Sequence, residues 1–196
     1  MVQIPAKTLT LEEFLKLPET KPASEYIKGE VIQKVMPQGK HSILQRELTF
    51  AFMVQFRVER KAQAFPELRC TYSSRSHPTD VYGGRSTVPD IAVFCAERIP
   101  RESSGDVANA FNLHPDWTIE ILSPNQRQSK VIRNLLHCLD YGTEMVWLVD
   151  PEEFCIFVYR ADNPVQVFEG EMVLPVPEFA QGLQLKVSEI FAWLKE

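Results

Sequence analysis

The chain of 196 residues reads as one mixed α/β domain. Three observations carry that reading. Hydrophobic residues make up 44% of the chain, enough to build a core and too many for a disordered polymer. Apolar residues recur at helical spacing in some segments and gather in short β-branched and aromatic runs in others. No repeat, low-complexity tract or long linker separates these segments, so residues 1–196 are taken as a single domain.

Taken in order, Thr10-Leu11-Glu12-Glu13 has the form of a capping box and predicts a short helix to about Leu17, ahead of Pro18. The stretch SEYIKGEVIQKVM predicts an N-terminal hairpin of two strands turning at Lys28-Gly29, with Glu30 opening the second. From His41 to about Arg60, Ile43, Leu44, Leu48, Phe52, Met53, Val54 and Phe56 recur at helical spacing, uninterrupted by Gly or Pro. Strands are predicted over Ala62 to Thr71 and Val88 to Phe94, on either side of the loop SSRSHPTDVYGGRST.

A second loop, Glu97 to Asp116, leads into the strand WTIEIL, which Ser123-Pro124 stops. A helix follows from about Ser129 to Tyr141, closed by Gly142 in a left-handed cap. The strands MVWLVD and FCIFVYR turn at Pro151-Glu152-Glu153. A β-rich tail comes next, with weaker strands near Val165 to Phe168 and Met172 to Leu174, and Val187 to Leu194 closes the chain as a helix.

The formal net charge is -5, which argues against a surface that wraps nucleic acid all round. The acidity is local. Residues 150–196 hold three basic and nine acidic side chains, leaving eighteen and seventeen in residues 1–149. A focused basic rim from Lys40, Arg46, Arg127, Lys130 and Arg133 therefore stays compatible with DNA. No apolar run is long enough to span a bilayer, and the N-terminal stretch has no signal-peptide core, so no membrane partner is expected. Cys70, Cys95, Cys138 and Cys155 form no CxxC pair, which points to a reduced, cytoplasmic setting.

Two carboxylates stand out because strands deplete acids and an unpaired buried charge is costly. In VPDIAVF, Asp90 shares a face with Ala92 and Phe94; in WTIEILSP, Glu120 shares one with Thr118 and Leu122. Strands pair at about 4.8 Å, so pairing would set the two acids face to face. A hard divalent ion such as Mg²⁺ (or Mn²⁺) would relieve their repulsion and leave positions for a phosphate oxygen. Glu30 is a candidate third ligand. The alternative is structural: Asp90 paired with Arg85, and Glu120 with Arg127 or Arg133. His77 and His114, each beside a proline, read as exposed loop residues; Trp117, Trp147 and Trp193 read as core.

The ordered series YIKGE, His41 at the head of a long helix, VPDIAVF, DWTIEILSPNQR and YGTEMVWLVDPEE resembles the Uma2 (DUF820) family, common in cyanobacteria, over nearly the whole chain. The resemblance implies a restriction-endonuclease-like fold of the PD-(D/E)XK superfamily, a mixed central sheet flanked by helices. It implies Mg²⁺-dependent hydrolysis of phosphodiesters in DNA. It assigns Asp90, Glu120 and Glu30 to the metal, places His41 in the cleft, and points to a homodimer, since such nucleases cut both strands as dimers.

The lysine departs from the pattern. The superfamily places it two residues after the glutamate, where this chain has Leu122. Family members carry one in the following helix instead; matched without gaps, that lysine falls on Asn134 and the preceding aspartate on Lys130. Residues 130 and 134 share one ridge of a helix, about 6 Å apart along its axis, so Lys130 is the expected substitute. Gln126 and Arg127 are further candidates for phosphate. The alternative function is a catalytically inactive nuclease-fold protein that binds DNA or a protein partner.

Overall fold

The computed structural model describes residues 9–73, 84–124, 126 and 128–195. In its N-terminal part a short helix α1 (Leu11–Leu15) precedes strands β1 (Ser24–Ile27) and β2 (Glu30–Gln33) and the long helix α2 (Gly39–Glu59). Strands β3 (Ala62–Pro66), β4 (Cys70–Ser73), β5 (Gly84–Thr87), β6 (Ile91–Cys95) and β7 (Trp117–Ile121) lead to helix α3 (Gln128–Asp140). Strands β8 (Met145–Asp150), β9 (Cys155–Arg160) and β10 (Gln166–Glu169) and helix α4 (Val187–Ala192) complete it.

Two sheets result. The larger has the order β10-β9-β8-β7-β6-β3, the smaller β2-β1-β5-β4. In the larger, β7 and β8 are parallel, joined through α3, while the other neighbours are antiparallel. The mixed sheet flanked by helices is the architecture expected from the sequence.

Strand β8 is buried at every position. Met145, Trp147 and Val149 face the cluster built with α2 and α4; Val146 and Leu148 face the one built with α3. A strand covered on both faces needs no polar alternation, which is why MVWLVD reads as one apolar run. On the first face, Leu44, Leu48, Phe52 and Phe56 form the inward ridge of α2. Phe52 packs 4.8 Å from Trp117, and Trp117 lies edge-on at 4.6 Å from Trp147.

The capping box forms, with the Thr10 hydroxyl accepting from the Glu13 N–H and the Glu13 carboxylate accepting from the Thr10 N–H. Gly142 has a φ of +104° and ends α3 in the left-handed region. Helix α2 starts two residues before His41, and the tail forms β10; residues 172–174 form no strand, although Val173 bridges to Lys186.

One expected strand proves to be two, and another starts later than expected, with β5 lying in what reads from sequence as a loop. Residues 62–71 split at Pro66, which has no N–H, and at Glu67, whose φ is +50°; β3 joins the large sheet and β4 the small one. The strand expected from Val88 begins only at Ile91; Val88-Pro89-Asp90 separates β5 from β6, so Asp90 stands at a bend between the sheets rather than inside a strand. Gly84 opens β5 with a φ of +128°, where a Cβ would lie 2.1 Å from the Tyr72 carbonyl oxygen. Glycine is what lets β4 and β5 pair there.

Candidate active site

The site lies where the two sheets meet. Strands β6 and β7 pair with Ile91 opposite Ile119, so the next step of the register sets Asp90 opposite Glu120. Asp90 is held from three sides. Its Oδ2 accepts from the Ile121 N–H at 2.7 Å and meets His41 Nε2 at 3.0 Å, while its carbonyl oxygen accepts from Gln45 Nε2 at 2.9 Å. His41 occupies the buried ridge of α2, one turn before Leu44 and two before Leu48, so the packing of that helix delivers the imidazole to Asp90. His41 Nδ1 is buried and has no hydrogen-bond partner among the described residues.

The cation beside these acids is Lys34, just after β2. Its Nζ donates to Asp90 Oδ1 at 2.7 Å and to the Val88 carbonyl at 2.7 Å, and lies 3.5 Å from Glu120 Oε2. Glu25 on β1 completes the group, its Oε1 accepting from the Val88 N–H at 2.8 Å. The hairpin register explains the pairing of Glu25 with Lys34. Glu25 lies opposite Ile32 and therefore on its face, and Lys34 is two residues beyond Ile32.

Burial pushes the Lys34 ammonium towards its neutral form, but Glu120, Asp90 and Glu25 outweigh it and raise its pKa above the ordinary lysine value. Burial also pushes Asp90 up; Lys34 and His41 overcome this and hold the carboxyl well below the usual aspartate range. Glu120 and Glu25 move the other way. Desolvation raises both, only partly opposed by Lys34, so they keep a proton to higher pH than ordinary glutamates. Burial is the main cause, and the crowding of three carboxyls around one ammonium adds to it.

A cleft of about 290 Å³ opens beside this group, lined among others by Glu25, Lys34, Glu120, Gln126, Lys130 and Asn134. The sequence family described as "Putative restriction endonuclease", Uma2, matches residues 11–188. The chain belongs to the Uma2 family. The crystal structure of a "putative nuclease belonging to DUF820" from Anabaena variabilis ATCC 29413 superposes on this Uma2 chain with a TM-score of 0.87 and 53% sequence identity, covering 95% of this chain and 99% of that one. No curated protein matches.

Of the residues expected in this Uma2 site, Asp90, Glu120 and His41 come together, and Gln126, Lys130 and Asn134 line the cleft. Glu30 does not join them. It is exposed at the hairpin turn opposite Ile27, two steps of the register nearer the turn than Glu25, and Glu25 faces the cleft in its place. Arg127 lies outside the described residues. Lys130 is exposed on the cleft wall, and the ammonium at the acids belongs to Lys34, which sequence reasoning missed.

Of the structural pairings anticipated for the acids, those with Arg85 and Arg133 are replaced, while the one with Arg127 lies outside the described residues. Arg85 lies over the Tyr141 ring at 5.5 Å, and Arg133 Nε donates to the Ser129 carbonyl. Of the basic rim, Lys40 pairs with Glu152 and Arg46 with Glu47, which leaves Lys130 as the described rim residue lining the cleft. His114, expected to be exposed, is instead half-buried beside Arg98.

The donor chemistry fits a hard divalent ion, since Mg²⁺ takes one or two carboxylates with several waters. Among the described residues no three His, Cys, Asp or Glu side chains are already set around a metal position. The ammonium of Lys34 occupies the space between Asp90 and Glu120.

Proposed function

We propose that this Uma2 chain is a metal-dependent endonuclease that hydrolyses phosphodiester bonds in DNA. One observation carries the reading: Asp90, at the bend before β6, and Glu120, on the neighbouring β7, converge on a single cation beside a cleft. Buried carboxylates with strongly shifted titration, gathered in a cleft, are the pattern of a functional site.

Asp90 and Glu120 would hold Mg²⁺ or Mn²⁺, with Glu25 as the third carboxylate. The ion, when bound, activates water and neutralises charge on the phosphate. The chain's own residues bind and orient. Lys130 attracts the phosphate, Gln126 and Asn134 offer amide donors along the cleft wall, and His41 with the Ile121 N–H fixes the Asp90 carboxylate. In the overall reaction water adds to phosphorus, one P–O ester bond breaks, and the leaving oxygen takes up a proton.

The test is incubation of plasmid DNA with Mg²⁺ or Mn²⁺ and either the native protein or Glu120→Gln. Nicked and linear products from the native protein alone are expected. Equal cleavage by both, or none by either over a wide range of protein concentration, would sink the reading.

A second reading has its own observation, the loss of lysine at positions 122 and 134. In it the chain binds DNA, or a protein partner, without cutting. Salt-dependent DNA binding with no cleavage in either metal would favour it. Cutting both strands from one site per chain asks for a homodimer, a state supported by the exposed Phe50, Val54 and Val58 at four-residue spacing along α2 and checked by sedimentation.

A further inference from the structure

The two oxygens of Asp90 are held by groups of different kinds. A carboxylate oxygen offers two lone pairs. Oδ2 spends both on fixed donors, the Ile121 main-chain N–H inside β7 and the His41 ring on the buried ridge of α2. Oδ1 has Lys34, a side chain with four rotatable bonds. The main chain of Lys34 is anchored, its N–H donating to the Ala23 carbonyl at 2.9 Å, so the side chain can change direction without disturbing the hairpin.

The surroundings of Lys34 give it somewhere to go. Lys34 follows β2, the outermost strand of the small sheet, and Val35 and Met36 next to it are exposed. The 290 Å³ cleft is lined by Lys34 and by Lys130, Asn134 and Gln126 on the facing wall. Glu120 Oε2, at 3.5 Å, is the looser of its two carboxylate contacts.

We propose that Lys34 is an exchangeable stand-in for the metal: its ammonium holds Asp90 and Glu120 together in the ion-free protein, yields Asp90 Oδ1 to an entering divalent ion, and turns into the cleft towards the substrate phosphate. This rests on the nuclease reading for the identity of the phosphate, but the exchange itself does not require DNA. It assigns the missing lysine of the helix to a different element. Lys34 is the ammonium shared by Asp90, Glu120 and Glu25, and a divalent ion entering there can bind Asp90 and Glu120 as carboxylates with Lys34 still nearby.

The experiment is calorimetric titration of Mn²⁺ into the DNA-free protein, comparing native chain, Lys34→Met and Lys34→Arg. Removing the competing ammonium should tighten Mn²⁺ binding by about tenfold or more, whereas Arg, which grips carboxylates with a planar fork, should weaken it. Unchanged or weaker binding by Lys34→Met overturns the proposal. If Lys34→Met does not fold without metal, a crystal of the native protein soaked in Mn²⁺ decides. An ion at Asp90 Oδ1 with Lys34 Nζ turned into the cleft supports the exchange; Lys34 still bonded to Oδ1, with the ion elsewhere or absent, overturns it. Failure of the native protein to cut plasmid DNA sinks the nuclease reading and leaves this result standing.

Discussion

The carboxylate of Asp90 accepts the main-chain N–H of Ile121 at 2.7 Å, which locks an acid at the foot of β6 onto the strand that carries Glu120. The separation of the acidic pair is therefore set by the sheet, not by flexible side chains. The same bond makes Asp90 structural as well as chemical.

Asp90→Asn keeps the shape and removes the charge. An amide cannot accept from Lys34, His41 and Ile121 at once, because its NH₂ faces one of those donors. Truncating a buried ion pair on one side costs about 3 kcal/mol or more, and Asp90 is 3% exposed. Urea denaturation at pH 7 should show a loss of that order; a loss under about 1 kcal/mol would mean that the network is not holding the sheets together.

Glu25 and Glu30 separate cleanly. Burial already favours the neutral form of Glu25, so the neutral Glu25→Gln should change stability by less than about 1 kcal/mol while cutting plasmid cleavage by about a hundredfold. Glu30→Gln, at an exposed turn, should stay within about 0.5 kcal/mol and leave cleavage as it is. Paired denaturation and cleavage assays check both, and a reversed order would restore Glu30 to the site.

Through His137, stability should rise with pH between about 4 and 6.5. Burial first, then the nearby charges of Arg85 and Lys28, lower its pKa to about 4 against 6.5 in an unfolded chain, with Asp140 pulling weakly the other way. Between those values the unfolded state binds the extra proton, so the stability contributed by neutral His137 is complete above pH 6.5 and lost as pH falls towards 4. Its side chain is 20% exposed. His137→Gln should reduce the difference in unfolding free energy between pH 7 and pH 5 by roughly 1 kcal/mol. Identical pH slopes for the two proteins would contradict it.

Much of this was legible in the chain. The apolar run of β8 announced a strand covered on both faces, and Asp90 and Glu120 in VPDIAVF and WTIEIL gave the acidic pair, because a two-residue period fixes which side chains meet. Lys34 was hidden by distance, since it lies 56 positions from Asp90 and looks like any lysine after a strand. A signal existed. Once the turn is set at Lys28-Gly29, the register pairs Ile27 with Glu30 and Glu25 with Ile32, which carries Lys34 onto the face of Glu25. The split of residues 62–71 between two sheets had no such signal beyond Pro66, because which sheet a strand joins depends on partners far along the chain.

Lys130 tests whether the cleft wall meets nucleic acid. It is exposed on α3, lines the cleft and stands apart from the hydrogen bonds described for Asp90, so its charge is available to a phosphate. Lys130→Ala should weaken binding of duplex DNA similarly for every sequence and lower the slope of log affinity against log salt by about one. Asn134→Lys, which restores a cation one turn further along the same wall, should raise that slope by about the same amount. Fluorescence anisotropy across a salt series, in the presence of chelator so that nothing is cut, measures both. Slopes that do not move in either variant would place the DNA elsewhere on the surface and detach the cleft from its proposed substrate.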